Sequence, residues 1–245
     1  MNIKAGKLKP GSRPVISAAV SDIDIRLLKP SDIKVIDLIE LRVDMFKTLS
    51  EDYVKSVFYK VKERFSKPVL CTIRLKSEGG RKSIDENKRY ALFKAIIPRA
   101  DMVDIEIQSR LFSDVVRLSH RFKKRVIASY HNFKSTPEKR FLLKILAKAR
   151  HASADIIKLA VKANSMEDVV KLACFTLEHE KDNLITISLG EKGRVSRVIN
   201  PLLGSLITYG YVGNPKADGQ MHVRQLAEQI KVYGICSRKR SQPMT

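Results

Sequence analysis

The chain has 245 residues, 44% of them hydrophobic, and carries 47 Lys and Arg against 26 Asp and Glu, a formal net charge of +21. That length supplies one large core of the size α/β barrels occupy as a single domain, and no apolar run reaches membrane-spanning length. Cys71, Cys174 and Cys236 are odd in number, far apart and without a CxxC pair, which excludes a disulfide framework and a zinc ribbon and leaves them as inert fillers.

No basic-then-apolar leader opens the chain, so the expected compartment is the cytoplasm. A surplus of positive charge fits a binder of nucleic acid or membrane surface, or long-range steering of anionic small molecules. The basic residues cluster only at the ends, at Lys4, Lys7, Lys9 and Arg13 and again at Arg238, Lys239 and Arg240. With no zinc-finger spacing, RNP-like aromatics or helix-turn-helix pattern, nucleic-acid binding rests on composition alone, and a solvated basic surface is the simpler account. Residues 1–13 read as a flexible basic arm, 14–236 as a barrel domain and 237–245 as a disordered tail.

The first strand candidate is Arg13–Val20, and Ser21 to Lys34 gives a short helical connection broken at Pro30. The second strand, Ile36–Asp44, alternates charged with apolar residues in its late half. Ser50 is placed to cap a helix with Tyr53, Val57, Val61 and Phe65 on one face. Strand three is Pro68–Arg74, followed by a flexible Glu78-Gly79-Gly80 loop and a helix from about Asp85 to Ile97. Strand four, Asp101–Ile107, ends acidic, and the next helix carries Leu111, Val115, Leu118 and Phe122 on one face. Strand five, Arg125–Tyr130, delivers His131, and Thr136-Pro137-Glu138 opens a helix with a cap and a proline in its first turn.

Ala154–Val161 is a short buried strand of the kind a parallel sheet covered on both faces requires, except for Lys158. Burying that amine unpaired costs several kcal/mol, so it either reaches water at the strand end or gives up its proton. The second outcome yields a nucleophile suited to imine chemistry with a ketone or aldehyde. Ser165 caps the following helix. Strand seven is Leu184–Leu189, then comes a turn at Gly190 to Gly193 and a short segment with Arg197. Strand eight is Ser205–Tyr209, followed by a loop from Gly210 to Gln220 and a last helix through Leu226 and Ile230. Strands alternating with helices in units of roughly thirty residues predict a (β/α)8 barrel, and no GxGxxG follows the first strand.

In such a barrel every strand's C-terminal end opens on one mouth. Glu40, Arg42, Arg74, Asp104, Glu106, His131, Lys158 and Tyr209 arrive there. Strands five and six are neighbours about 4.8 Å apart, so His131 and Lys158 can flank one small molecule. With Arg197, three arginines favour an anionic substrate. Singly each residue has a plain structural account: Arg42 and Arg74 can pair Glu40 and Glu106, and Tyr209 can be core. Together they put polar groups at one end of consecutive strands whose first halves are apolar.

Glu40-Leu41-Arg42-Val43-Asp44, Thr72-Ile73-Arg74 with Glu78-Gly79-Gly80, Asp104-Ile105-Glu106, Ser129-Tyr130-His131, Lys158 in Ile-Lys-Leu-Ala, Ser196-Arg197, Gly204-Ser205 and Gly219-Gln220 follow one another along nearly the whole chain. In this order and spacing they resemble type I 3-dehydroquinase. The resemblance implies a homodimeric barrel, without metal or cofactor, that converts 3-dehydroquinate to 3-dehydroshikimate in the shikimate pathway. It implies an imine on Lys158, His131 as acid and base, and Glu78 supporting the histidine. It places Glu40, Arg42, Arg74, Arg197 and Gln220 at substrate-holding positions, with Arg197 on the carboxylate. This chain departs from the family at Lys216-Ala217-Asp218-Gly219-Gln220, where the common pattern is Ser-Ala-Pro-Gly-Gln, at Leu189 for methionine, and at Ala19 for a serine. The loop 210–220 is expected to close over the substrate, with Lys216 taking the serine's contact. The competing expectations are another imine-forming barrel of the class I aldolase type and a basic nucleic-acid-binding protein.

Overall fold

The computed structural model describes residues 13–215 and 217–233. Most of the expected arm, the expected tail 237–245, residues 234–236 of the expected barrel domain and Lys216 lie outside the described residues. Arg13, placed by sequence in the arm, is instead fastened: its Nη2 lies 2.7 Å from both carboxylate oxygens of Asp37.

The eight strands are β1 (Val15–Val20), β2 (Leu38–Arg42), β3 (Val69–Thr72), β4 (Met102–Glu106), β5 (Arg125–Asn132), β6 (Ile156–Lys162), β7 (Leu184–Leu189) and β8 (Ile207–Gly210). They form one parallel sheet in the order β7-β6-β5-β4-β3-β2-β1-β8. The ring is drawn shut where Leu206 N donates to Leu184 O at 2.8 Å and Thr186 N to Ser205 Oγ at 3.0 Å. Helices α1 (Pro30–Val35), α2 (Glu51–Phe65), α3 (Glu86–Ile96), α4 (Phe112–Arg121), α5 (Lys139–His151), α6 (Met166–Glu178), α7 (Ser196–Leu202) and α8 (Val223–Val232) alternate with the strands. This is the expected (β/α)8 barrel, and among the described residues no helix is long and apolar enough to cross a membrane.

Because successive strand side chains face opposite ways, each strand contributes to two cores. Outward residues such as Ile39, Leu41, Val103, Ile105, Val126, Ala128, Leu159 and Val161 pack under the helices. Inward residues Val15, Leu38, Leu70, Met102, Ile127, Ile156, Ile185 and Ile207, about one per strand, make an apolar floor inside the barrel. Two residues further along, the inward set turns polar in six strands: Ser17, Glu40, Thr72, Asp104, Ser129 and Lys158 are all buried.

Several local expectations are corrected by tertiary contacts. Pro30 starts α1 at its first turn rather than breaking a longer helix. Ser50 occupies the N-cap of α2 without a side-chain cap bond, whereas Asp85 caps α3 by accepting from Asn87 N and Lys88 N. Thr136 does not cap α5; its hydroxyl donates to Lys162 O at 2.9 Å, and the helix begins after Glu138. Phe122 falls beyond the end of α4 and is exposed, because Lys123 turns into left-handed backbone at φ 54°. The Glu78-Gly79-Gly80 segment is a built turn: Lys76–Glu78 forms one 3-10 turn, and Glu78 is buried.

Candidate active site

Lys158 is 5% exposed, and its Nζ lies 4.2 Å from the centroid of the Tyr209 ring and 3.5 Å from Asp104 Oδ2. The register of β5 on β6 pairs Ser129 with Lys158 and His131 with Ala160, so the imidazole stands one inward step above the amine on the neighbouring strand. The register partner of His131 at that step, Ala160, is a small side chain. Tyr209 Oη is buried with no hydrogen-bond partner among the described residues, and burial, then Glu40 and Asp104, push its phenol well above the usual range.

Asp104 anchors the polar layer. Its Oδ1 accepts from Ser129 Oγ at 2.6 Å and lies 3.0 Å from Arg74 Nη1. Burial alone would raise its pKa, but Arg74, then Lys158 and His131, overcome that and hold the carboxyl well below its ordinary value. The same Arg74 Nη1 reaches Glu106 Oε1 at 3.0 Å and donates to Ser129 Oγ at 2.7 Å. Glu106 also accepts from Leu75 N at 2.8 Å and from Arg89 on α3. Arg74 thus pairs with Glu106 as the sequence allows, while Arg42 does not pair with Glu40. Both Nε and Nη2 of Arg42 lie 2.9 Å from the oxygens of Asp44, two residues on, and Glu40 accepts from Thr72 Oγ1 at 2.7 Å across β2 and β3. Asp44 is fully buried and ties three segments, since it also accepts from Arg74 N and Arg81 N.

Glu78 reaches the histidine from the turn after β3. Its Oε2 accepts from His131 N and lies 2.9 Å from Nδ1. Gly79, at φ 86°, makes this turn possible; a Cβ there would also run into the Phe133 ring, which stacks near His131. Burial pushes the Glu78 carboxyl up to about 8, reinforced by Glu106 and opposed by Arg74. His131 is held well below its usual value by burial first and then by Arg74 and Lys158. With Nδ1 facing Glu78, Nε2 is the ring nitrogen left for another partner.

Across the mouth, Arg197 lies at the start of α7, buried, its Nε donating to Gly219 O at 2.8 Å and its Nη1 to Tyr209 O at 3.0 Å. No carboxylate among the described residues pairs with it, and burial, then Arg194, lowers its pKa to about 10. Gly219 sits at φ 74°, and a Cβ there would lie 2.1 Å from Gly190 O, so this close approach admits only glycine. The ends of this loop are tied by Tyr211 N donating to Met221 O and Val223 N to Tyr211 O. Gln220 Oε1 accepts from Ala217 N at 3.3 Å.

The structure thus gathers Glu40, Arg42, Arg74, Glu78, His131 and Lys158 around one mouth, with Arg197 and Gln220 across it. Arg89 escaped the sequence reading. The one available signal was a cation on the apolar stripe of α3, in step with Leu92, Phe93 and Ile96. Among the described residues no group of three His, Cys, Asp or Glu side chains is disposed to hold a metal ion.

Residues 15–237 match the sequence pattern of the family described as type I 3-dehydroquinase. A 3-dehydroquinate dehydratase of Thermodesulfovibrio yellowstonii is 37% identical over 222 residues, covering 91% of this chain and 96% of the relative. The solved structure of a 3-dehydroquinate dehydratase from Geobacillus kaustophilus superposes with a TM-score of 0.84 at 29% identity, covering 97% of this chain and 100% of that one. A type I 3-dehydroquinate dehydratase from Clostridium difficile, solved with covalent modified comenic acid, gives a TM-score of 0.82 at 29% identity over 91% of this chain and 92% of the other.

Proposed function

This chain belongs to the type I 3-dehydroquinase family, and from that premise we propose that it dehydrates 3-dehydroquinate to 3-dehydroshikimate, in the shikimate pathway, through an imine on Lys158. The observation that carries this reading is the buried amine of Lys158 set beside the Glu78 and His131 pair at the barrel mouth.

The steps follow from what each group can do. Nζ of Lys158 attacks the ring ketone, and the carbinolamine expels water as His131 relays the protons. The iminium then withdraws electrons from the adjacent C–H, His131 takes that proton, and the resulting enamine expels the ring hydroxyl with His131 returning the proton as it leaves. Hydrolysis of the new iminium restores the amine. One water is consumed there and two are released earlier, so the net change is loss of one water. Glu78, facing Nδ1, orients the ring so that Nε2 meets the substrate.

Arg197 holds the substrate carboxylate, supported by its burial without an anionic partner among the described residues. Glu40, Arg42, Arg74 and Gln220 hold the hydroxyl-bearing side, Arg42 and Arg74 with their geometry already set by Asp44, Asp104 and Glu106. The covalent adduct of the Clostridium difficile relative is in keeping with a nucleophile in this type of site. The family resemblance also supports a homodimer, which sedimentation velocity tests directly.

The chemistry is tested by the rise in ultraviolet absorbance of the conjugated product from 3-dehydroquinate, run beside Lys158→Ala. Borohydride added with substrate is expected to leave a stable mass increment on the Lys158 peptide. An increment on another peptide, or full turnover by Lys158→Ala, removes the imine from the mechanism.

A further inference from the structure

We propose that Arg89, on a helix outside the barrel, is a positioning residue for the reacting amine: by holding Glu106 it keeps Arg74 on Asp104, and so keeps Asp104 from closing on Lys158. This rests on the assignment of Lys158 as the imine-forming amine. Arg89 is 1% exposed, and its Nε donates to Ile73 O at 2.8 Å, Nη1 to Ser109 Oγ at 2.9 Å and Nη2 to Glu106 Oε2. A buried ion pair is a poor device for stability alone, since an apolar pair of equal volume often serves as well. Here the position lies on the apolar stripe of α3, where leucine or methionine would pack.

From Arg89 the charges alternate inward through Glu106, Arg74 and Asp104 to Lys158. Arg74 Nη1 is shared, 3.0 Å from Glu106 Oε1 and 3.0 Å from Asp104 Oδ1. The contact of Asp104 Oδ2 with Lys158 Nζ, at 3.5 Å, stands at the outer edge of hydrogen bonding. Which carboxylate the shared nitrogen favours depends on what else each one holds. Arg89 satisfies Glu106 from the far side. Without it Glu106 draws Arg74 to itself, and Asp104, losing its strongest cation, closes on the ammonium. The cluster also becomes one unit more negative, which favours the protonated amine.

Among the described residues, the charged and titratable groups around Nζ come from six places. They are Asp104 and Glu106 on β4, Arg74 after β3, Glu78 in the following turn, His131 on β5, Glu40 on β2 and Tyr209 on β8. β7 presents Ile187. All of the titratable ones are affected in the same sense by a lost positive charge.

The test is the pH dependence of kcat/KM and of borohydride trapping at Lys158 in wild type, Arg89→Met, Arg89→Lys and Glu106→Gln. Arg89→Met is expected to move the acid limb of both curves up by about one pH unit, a tenfold loss on that limb. Arg89→Lys restores the charge and returns the limb. Glu106→Gln is isosteric, releases Arg74 fully to Asp104, and moves the limb the other way, so the proposal stays testable if Arg89→Met does not fold. Limbs that superimpose on wild type in Arg89→Met, or in Glu106→Gln, overturn it even if melting temperatures fall. Absence of trapping in the wild type strikes the Lys158 assignment instead.

Discussion

The mouth has two unlike sides. Around Arg74 every charge is answered within the protein, by Asp104, Glu106, Ser129 and, one step out, Arg89. Around Arg197 the guanidinium is equally buried, yet among the described residues it meets only the carbonyls of Gly219 and Tyr209. Desolvating a cation without an anion is unfavourable, and a fold tolerates it where a ligand supplies the missing charge. One side therefore has its charges balanced within the protein, and the other presents a buried cation that, on the proposed function, the substrate carboxylate would complete.

The sharpest way to break this contrast is to remove what both sides serve. Lys158→Ala is expected to lower kcat by about four orders of magnitude or more, while 3-dehydroquinate still protects the protein from thermal unfolding. Retained turnover would show that the balanced side serves some other group. Next, Arg74→Met should cost about 3–5 kcal/mol of stability in denaturant titrations, because the buried carboxylates Asp104 and Glu106 both lose the cation they share and keep only Lys158 and Arg89. Arg197→Met should behave oppositely. Its kcat/KM falls roughly 100-fold, mostly through KM, with loss of a charge-assisted fork, while the melting temperature holds or rises. Equal losses of stability in the two variants would erase the distinction.

The smallest effect concerns Glu78, whose pKa near 8 lies above the ordinary 4.5. The folded state binds this proton more tightly than the unfolded chain. Its stabilisation is therefore complete below the unfolded value and is lost as the pH rises through the folded one. Glu78→Gln, which never ionises, should gain melting temperature over wild type progressively as the pH rises from the unfolded value of 4.5 to the folded value of about 8, hold that gain above it, and converge with wild type in acid. A gap that opens instead at low pH would show that Glu78 is ionised throughout.

Much of the site was legible because barrel geometry converts sequence parity into position. Glu40, Asp104, Ser129 and Lys158 occupy equivalent inward steps on their strands, and the apolar residues two places earlier mark the floor. The motif resemblance then supplied Glu78, Arg197 and Gln220, which parity alone cannot reach because they lie beyond the strands. What stayed hidden was the choice among partners. Arg42 turned to Asp44 because the chain bends into a 3-10 turn at Val43 and brings that carboxylate to both guanidinium edges. Thr136 gave its hydroxyl to a strand carbonyl instead of a helix end, and Arg89 looked like an ordinary helix cation until its partners on other elements came into view.

The shared nitrogen of Arg74 carries an evolutionary consequence. Five alternating charges, drawn from a helix and from β3, β4 and β6 or the residues beside them, form a chain that no single substitution leaves balanced. Drift along that path must proceed in compensating pairs, so strong epistasis is expected among Arg89, Glu106, Arg74 and Asp104. The guanidinium of Arg197, without a carboxylate partner among the described residues, stands outside that chain and is expected to vary independently of it.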